Sequence, residues 1–152
     1  YPPGTLMVMI GHLDCTFIKG PELPAINKNP SLYNHEILRI AQKSSLETGI
    51  QLKEGVYCWT LGPAYETPDE VKFIQGLCGD AVGMSTVPEI QSAGKLGIPS
   101  LGISCLTNFS LSKPLNTFST ICFTLSSGQV ISTSQLPRFN FIVTLFVSET
   151  KS

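Results

Sequence analysis

The sequence predicts an α/β fold in which helices lie around a parallel or mixed sheet. Three observations support this prediction. Short apolar runs alternate with amphipathic segments, the connections between them are short, and Gly or Pro stands at most of the boundaries. Strands that alternate with helices in this way usually run parallel and are joined by right-handed crossovers. The chain has 152 residues, which is enough for one ordinary domain.

Two strands and a helix are predicted in the first part of the chain. Residues 4–10 (GTLMVMI) form an apolar run that ends at a glycine, which is typical of a buried strand. Residues 20–30 are rich in Pro and Asn and predict a long loop. Residues 32–48 carry apolar side chains at helical spacing, and Gly49 follows as a stop signal. Residues 56–61 (VYCWTL) are β-branched and aromatic and predict a second strand.

The second predicted helix has the clearest start. Thr67 can cap it, a proline follows at the first helical position, and a glutamate stands three residues after the cap. This helix should extend to about residue 77. A short strand at 80–84, a helix at 88–96 and a strand at 100–106 complete the alternation.

The segment after Asn108 has a different character. Residues 109–152 include 15 Ser or Thr and only four charged residues, and they show no helical pattern. Within them, residues 139–147 (FNFIVTLFV) are β-prone and uncharged. We therefore expect a divergent, poorly ordered tail.

Composition excludes several classes of function. Charged residues make up 14% of the chain, the formal net charge is −1, and no basic run is present, which argues against nucleic-acid binding. The five cysteines show no CxxC or Cys/His spacing for zinc and indicate a reducing compartment. No apolar stretch is long enough to span a membrane, and no signal peptide opens the chain. We expect a cytoplasmic protein without a metal site.

Three loops are candidates for a ligand site. In open α/β sheets ligands bind beyond the carboxyl ends of parallel strands. The predicted strands are followed by residues 62–67, 83–86 and 106–108, which offer an aromatic ring, a carboxylate, a thioether, a hydroxyl and a carboxamide. Such a set can hold a flat heterocycle, a sugar and an anion.

The sequences of these loops are more specific than their composition. GPAYETPDEV (62–71), DAVGMSTVPE (80–89) and GISCLTN (102–108) resemble the trimeric purine nucleoside phosphorylases, with weaker similarity over residues 4–108. The resemblance implies a three-layer sandwich with a mixed, mostly parallel sheet, of which residues 1–108 form the central part of one domain. It also implies a homotrimer that cleaves 6-oxopurine nucleosides with phosphate, giving base and ribose 1-phosphate in purine salvage. Phosphate is then a co-substrate, and no cofactor is needed.

Two residues match the family's catalytic base contacts. Glu66 resembles the carboxylate that accepts the ring N1–H of a 6-oxopurine. Asn108 resembles the carboxamide that bonds N7 and O6 and stabilises the negative charge of the departing base. Each of these residues could instead have an ordinary structural role. Glu66 could be a surface carboxylate beside a helix start, and Asn108 a turn residue.

The remaining site residues also follow from the resemblance. Ser85 resembles the phosphate-binding serine, and its place before a helix suits an anion. Met84 matches a position beside ribose, Tyr65 one that flanks both ribose and base, and Val82 a wall of the base pocket. Met84 and Tyr65 could instead be core residues. Phe17 lies near the region that lends an aromatic residue to a neighbouring subunit.

Other features of the family are absent. The chain lacks a Gly-rich phosphate loop and the arginine and histidine that clamp phosphate, and we expect it to be inactive in isolation and incomplete at both ends. His12, in a partly matching stretch, is predicted to be structural. A truncated, non-catalytic remnant is one alternative. Methylthioadenosine phosphorylase is another, although that family generally has serine and aspartate where Glu66 and Asn108 stand.

Overall fold

The computed structural model describes residues 1–107 and the backbone of residues 120–124. In this part of the chain, one five-stranded sheet is accompanied by three helices. The elements in chain order are β1 (Thr5–Asp14), α1 (His35–Thr48), β2 (Leu52–Trp59), α2 (Pro68–Gly76), β3 (Ala81–Gly83), α3 (Val87–Lys95), β4 (Gly102–Leu106) and β5 (Thr120–Thr124). None of the three helices has the length and apolar character needed to cross a bilayer.

The sheet has the strand order β3-β2-β1-β4-β5. β1 and β3 both pair with β2 in parallel, whereas β4 is antiparallel to β1 and β5 is antiparallel to β4. β1, β2, β3 and β5 therefore run in one direction and β4 runs in the other. This arrangement confirms the predicted mixed, mostly parallel sheet. β5 falls within the predicted tail, of which residues 109–119 and 125–152 lie outside the described residues.

Two hydrophobic clusters cover opposite faces of the sheet. The α3-side cluster consists of Met7, Met9, Tyr33, Tyr57, Val87 and Ile90. The α2-side cluster consists of Leu13, Cys15, Val56, Cys58, Ile74 and Val82. Along β2, Tyr57 belongs to the first cluster, while Val56 and Cys58 belong to the second, as expected because strand side chains alternate between faces. Leu38 of α1 packs against the α3-side cluster, so the helices and the sheet form three layers.

β1 continues beyond its predicted end at residue 10. A register shift between Met9 and Gly11 acts as a β-bulge, after which the strand pairs with β2 as far as Asp14. Gly11 does not stop the strand. A Cβ at this position would lie 3.0 Å from the carbonyl oxygen of Asn27, so glycine permits a close backbone approach. The bulge also explains why Met9 and Leu13 contribute to opposite faces.

The helix boundaries follow local signals closely. The side chain of Asn34 accepts hydrogen bonds from the amides of Glu36 and Ile37, so α1 starts slightly later than predicted. Gly49 ends α1 with φ 71°, the left-handed conformation that glycine tolerates best. Thr67 and Glu70 form the predicted capping box at the start of α2.

The direction of β4 departs from the parallel order that the alternation suggested. Leu106 pairs with Thr5 at the beginning of β1, whereas Trp59 of β2 pairs with Asp14 at its end. After α3 the chain enters the sheet beside the middle of β1, where Ile103 pairs with Val8, and β4 then runs towards the edge at which β1 begins. The loop at 106–108 thus begins at the opposite edge from the loops that follow β2 and β3.

Candidate functional site

The loops that follow β2 and β3 are held together at one edge of the sheet. The amide of Thr60 donates to the carbonyl oxygen of Gly83 over 3.0 Å, which extends the pairing of the two strands by one bond. One step further on, Gly62 lies against Met84, since a Cβ at position 62 would be 2.9 Å from the Met84 sulfur. The peptide bond between Gly62 and Pro63 is cis. Both loops therefore contribute to a single surface.

Glu66 lies near the end of the first loop, one residue before the α2 cap, and is half-buried. Its Oε1 atom accepts a hydrogen bond of 2.7 Å from the hydroxyl of Thr60. The α2 cap is formed by other side chains, since Thr67 and Glu70 bond reciprocally there. Glu66 makes no cap hydrogen bond among the described residues. Glu66 therefore does not cap α2, although it lies one residue before the cap.

A cavity of about 380 Å³ opens beside Glu66. This volume lies within the range of small-ligand pockets. Its lining comes from the end of β1, the loop after β2 and the first turns of α2, namely residues 15–17, 60, 61, 64–67, 70, 73 and 74. Three lining side chains are aromatic: Phe17, Tyr65 and Phe73. The rings of Phe17 and Phe73 are 6.4 Å apart between centroids, and Tyr65 is 46% exposed. Aromatic faces beside a carboxylate suit a flat heterocycle that carries an N–H group.

The structure separates the remaining predicted contacts from this cavity. Val82 is buried within the α2-side cluster, and Met84 is half-buried against Gly62. Ser85 is half-buried, with its hydroxyl oxygen 3.4 Å from that of Thr86. None of these three predicted residues is part of the cavity lining. Tyr65 and Glu66 are brought together, and Asn108 lies outside the described residues.

Thr86 has an unusual backbone conformation that was not predicted from the sequence. It is fully buried and adopts φ 79° with ψ −45°, a positive φ that is unfavourable for a β-branched residue. It precedes α3, but its side chain does not cap the helix. Backbone strain of this kind clusters at functional sites, where the surrounding structure maintains it. Thr60 and Phe73 were missed too, because Thr60 lies inside the predicted strand 56–61 and Phe73 inside the predicted second helix. The polar side chain of Thr60 near the end of that strand is the one signal that could have indicated it.

His12 lies away from the cavity and is buried. Its Nδ1 atom is 2.7 Å from the hydroxyl of Tyr33, and its Nε2 atom is 3.3 Å from the amide nitrogen of Gln91. Because that amide donates to Nε2, the ring proton is on Nδ1 and is donated to Tyr33. Burial lowers the pKa of His12. The negative charge of Asp14 opposes this shift, and the positive charge of Lys19 adds to it. These contacts are those of a structural histidine.

Acidification should destabilise the protein through His12. The unfolded state takes up a proton near the ordinary pKa of 6.5, while folded His12 resists protonation because its pKa is lowered. The free energy of unfolding should therefore fall as the pH decreases through 6.5. Urea unfolding at pH 7.5, 6.5 and 5.5 measures this dependence, which should be weaker in His12→Gln and unchanged in the exposed control His35→Asn. Equal pH dependence in all three proteins would contradict the assignment.

Known proteins resemble the chain over most of its described length. The family model of the phosphorylase superfamily matches residues 1–122. Purine nucleoside phosphorylase 1 of Geobacillus stearothermophilus is 34% identical over 152 residues, covering 93% of this chain and 52% of that protein. The probable 6-oxopurine nucleoside phosphorylase of Moorella thermoacetica is 32% identical over 116 residues, covering 71% of this chain and 45% of that protein.

Solved structures resemble the fold as well. Schistosoma mansoni purine nucleoside phosphorylase in complex with inosine has a TM-score of 0.66 and 27% sequence identity. The alignment covers 76% of this chain and 46% of that chain. The chain thus spans about half of the length of these relatives.

Proposed function

The chain belongs to the phosphorylase superfamily, and from this membership we propose that it is part of a purine nucleoside phosphorylase that acts on 6-oxopurine nucleosides. The observation that carries the proposal is the cavity in which Glu66 lies beside Tyr65, Phe17 and Phe73. The names of several relatives support the substrate class. Two are called probable 6-oxopurine nucleoside phosphorylases, and Schistosoma mansoni structures contain inosine, guanosine or hypoxanthine.

Hydrogen-bond chemistry explains why Glu66 would select a 6-oxopurine. Oε1 of Glu66 accepts from Thr60, and Oε2 has no partner among the described residues. A 6-oxopurine presents N1–H, a donor that a carboxylate oxygen can accept with a charge-assisted bond. A 6-aminopurine presents an unprotonated N1, which would place two acceptors against each other. The aromatic side chains would contact the faces of the base.

The second loop supplies the sugar and phosphate contacts in this proposal. Met84 would lie beside ribose and Ser85 would bind phosphate, next to the base site because Thr60 and Gly83 tie the two loops together. Phosphate attacks the anomeric carbon as the glycosidic bond breaks, and Asn108 would stabilise the charge on the departing base. The reaction needs no metal or organic cofactor.

The proposal also includes the oligomeric state and the cellular compartment of the protein. We place the protein in the cytoplasm, which agrees with the free thiols of the four described cysteines. We also propose a homotrimer, as the resemblance implied. Sedimentation velocity of the purified chain tests the assembly, and a monomer at all concentrations would argue against it.

Calorimetric titration of the chain with hypoxanthine and with adenine tests the proposed substrate class. Hypoxanthine should bind at least about ten-fold more tightly, because a site that accepts an N–H rejects a base without one. Titration with uracil serves as a control for non-specific stacking. Tighter binding of adenine, or no binding of hypoxanthine, would contradict the proposal.

A further inference from the structure

Thr60 connects three parts of the site and has no role assigned so far. It follows β2 directly, is half-buried and lines the cavity. Its amide donates to the carbonyl oxygen of Gly83 over 3.0 Å, and its hydroxyl donates to Oε1 of Glu66 over 2.7 Å. A second distance, 3.5 Å from the hydroxyl to the oxygen of Gly83, is too long to compete. The hydroxyl proton therefore belongs to Glu66.

We propose that Thr60 is a positioning residue for purine recognition, whose hydroxyl holds the carboxylate of Glu66 so that Oε2 is left for the base. This role rests on the proposed function of Glu66. The glutamate side chain has three rotatable bonds, and a carboxylate that moves freely would lose rotamer entropy each time it bound a base. A hydrogen bond formed before binding removes part of that cost.

Two physical properties make a threonine at position 60 suitable for holding the carboxylate of Glu66. Its backbone is fixed by the bond to Gly83 at the end of the sheet, so the hydroxyl starts from a rigid position. Its β-branched side chain also has few χ1 rotamers, which limits the directions that the hydroxyl can take. Since Thr60 and Glu66 are both half-buried, water competes less for this bond than it would at a free surface.

A purely structural role is the competing explanation, because the same bond also ties the loop to β2. The two explanations differ in their dependence on Glu66. If Thr60 acts through the carboxylate, its hydroxyl should matter for base binding only while Glu66 is present. If it only supports the fold, its removal should lower thermal stability without a specific effect on affinity. A double-mutant cycle separates these cases.

The experiment measures hypoxanthine affinity by calorimetry and unfolding temperature by circular dichroism, using the whole chain. Thr60→Val keeps the shape and removes the hydroxyl, so affinity should fall about ten-fold. Thr60→Ser restores the hydroxyl and should recover most of the affinity. In a Glu66→Ala background, which removes the acceptor of the hydroxyl, Thr60→Val should cause little further loss. The exposed control Thr48→Val, in α1, should bind as the unaltered chain does.

The outcomes distinguish this role from the proposed function. Equal affinities for Thr60→Val and the unaltered chain, or the same loss with and without Glu66, would overturn the positioning role alone. If Thr60→Ser binds hypoxanthine as weakly as Thr60→Val does, the positioning role would be overturned as well. Failure of the unaltered chain to bind hypoxanthine would instead overturn the proposed function, and the role of Thr60 with it.

Discussion

Replacing Glu66 with glutamine is expected to weaken hypoxanthine binding by about 10- to 100-fold. The substitution keeps the size of the side chain but removes the charge that strengthens the bond to N1–H. A hydrogen bond to a charged group contributes about 1.5–3 kcal/mol, and each 1.4 kcal/mol changes affinity about ten-fold. The hydroxyl of Thr60 can still donate to the glutamine oxygen, which would leave the glutamine NH2 group facing the N1–H donor of the base. Calorimetric titration of the variant with hypoxanthine measures the loss.

Glu70→Gln provides a matched control for this substitution. Glu70 belongs to the same cavity, but its carboxylate accepts from the amide and hydroxyl of Thr67 at 2.7 Å each. Glutamine can also serve at this position of a capping box, so α2 should be retained. Glu70→Gln should therefore bind hypoxanthine nearly as well as the unaltered chain. Equal losses in both variants would indicate a general effect of negative charge and argue against base recognition by Glu66.

Of the substitutions proposed for this protein, Ile90→Ala should lower the free energy of unfolding most, by about 2–5 kcal/mol. Ile90 is fully buried on α3, within the cluster that contains Met7, Met9 and Tyr57. Truncation removes buried apolar surface and leaves a cavity, because the surrounding side chains relax only in part. A loss of this size is a large share of the about 5–15 kcal/mol that stabilises a typical domain. Urea unfolding monitored by circular dichroism measures the difference.

Ile40→Ala is the corresponding control on α1. Ile40 is 48% exposed, and α1 has no buried residue, so its truncation should change the free energy of unfolding by less than about 1 kcal/mol. A similar loss in the two variants would show that α3 does not pack on the sheet as described. The comparison therefore tests the packing of α3 on the sheet as well as the contribution of one side chain.

Local features were predictable from the sequence because their causes are local. The capping box at Thr67 and the stop at Gly49 depend on a few neighbouring residues, and both are found as predicted. The same holds for the alternation of strands and helices, which reflects the periodicity of apolar residues. Family membership was predictable because three ordered motifs carry it, and the family match extends through residue 122.

Features that depend on contacts between distant segments were not predictable. The bulge after Met9 and the close approach of Gly11 to Asn27 require a partner strand and a loop, so the glycine was misinterpreted as an end. The direction of β4 depends on how the chain enters the sheet beside β1, which apolar periodicity does not encode. For this reason the third predicted loop was grouped with two loops at the other edge.

In the candidate site, too, some features were predictable from the sequence and others required the tertiary structure. The motif at 62–71 marked Glu66 and Tyr65 from the sequence alone, and the motif at 80–89 marked Val82, Met84 and Ser85. Only the tertiary structure decided that Glu66 and Tyr65 line one cavity, while Val82 packs in the core.

The same structure added Thr60 and Phe73 to Glu66, and it placed Phe17, which the resemblance had associated with a neighbouring subunit, in the lining of this chain's own cavity. The physical reason is that residue types and their local spacing determine which elements form and which chemistry each can offer. Which side chains share a pocket is determined by strand direction, register and packing, and these arise only when the chain folds as a whole.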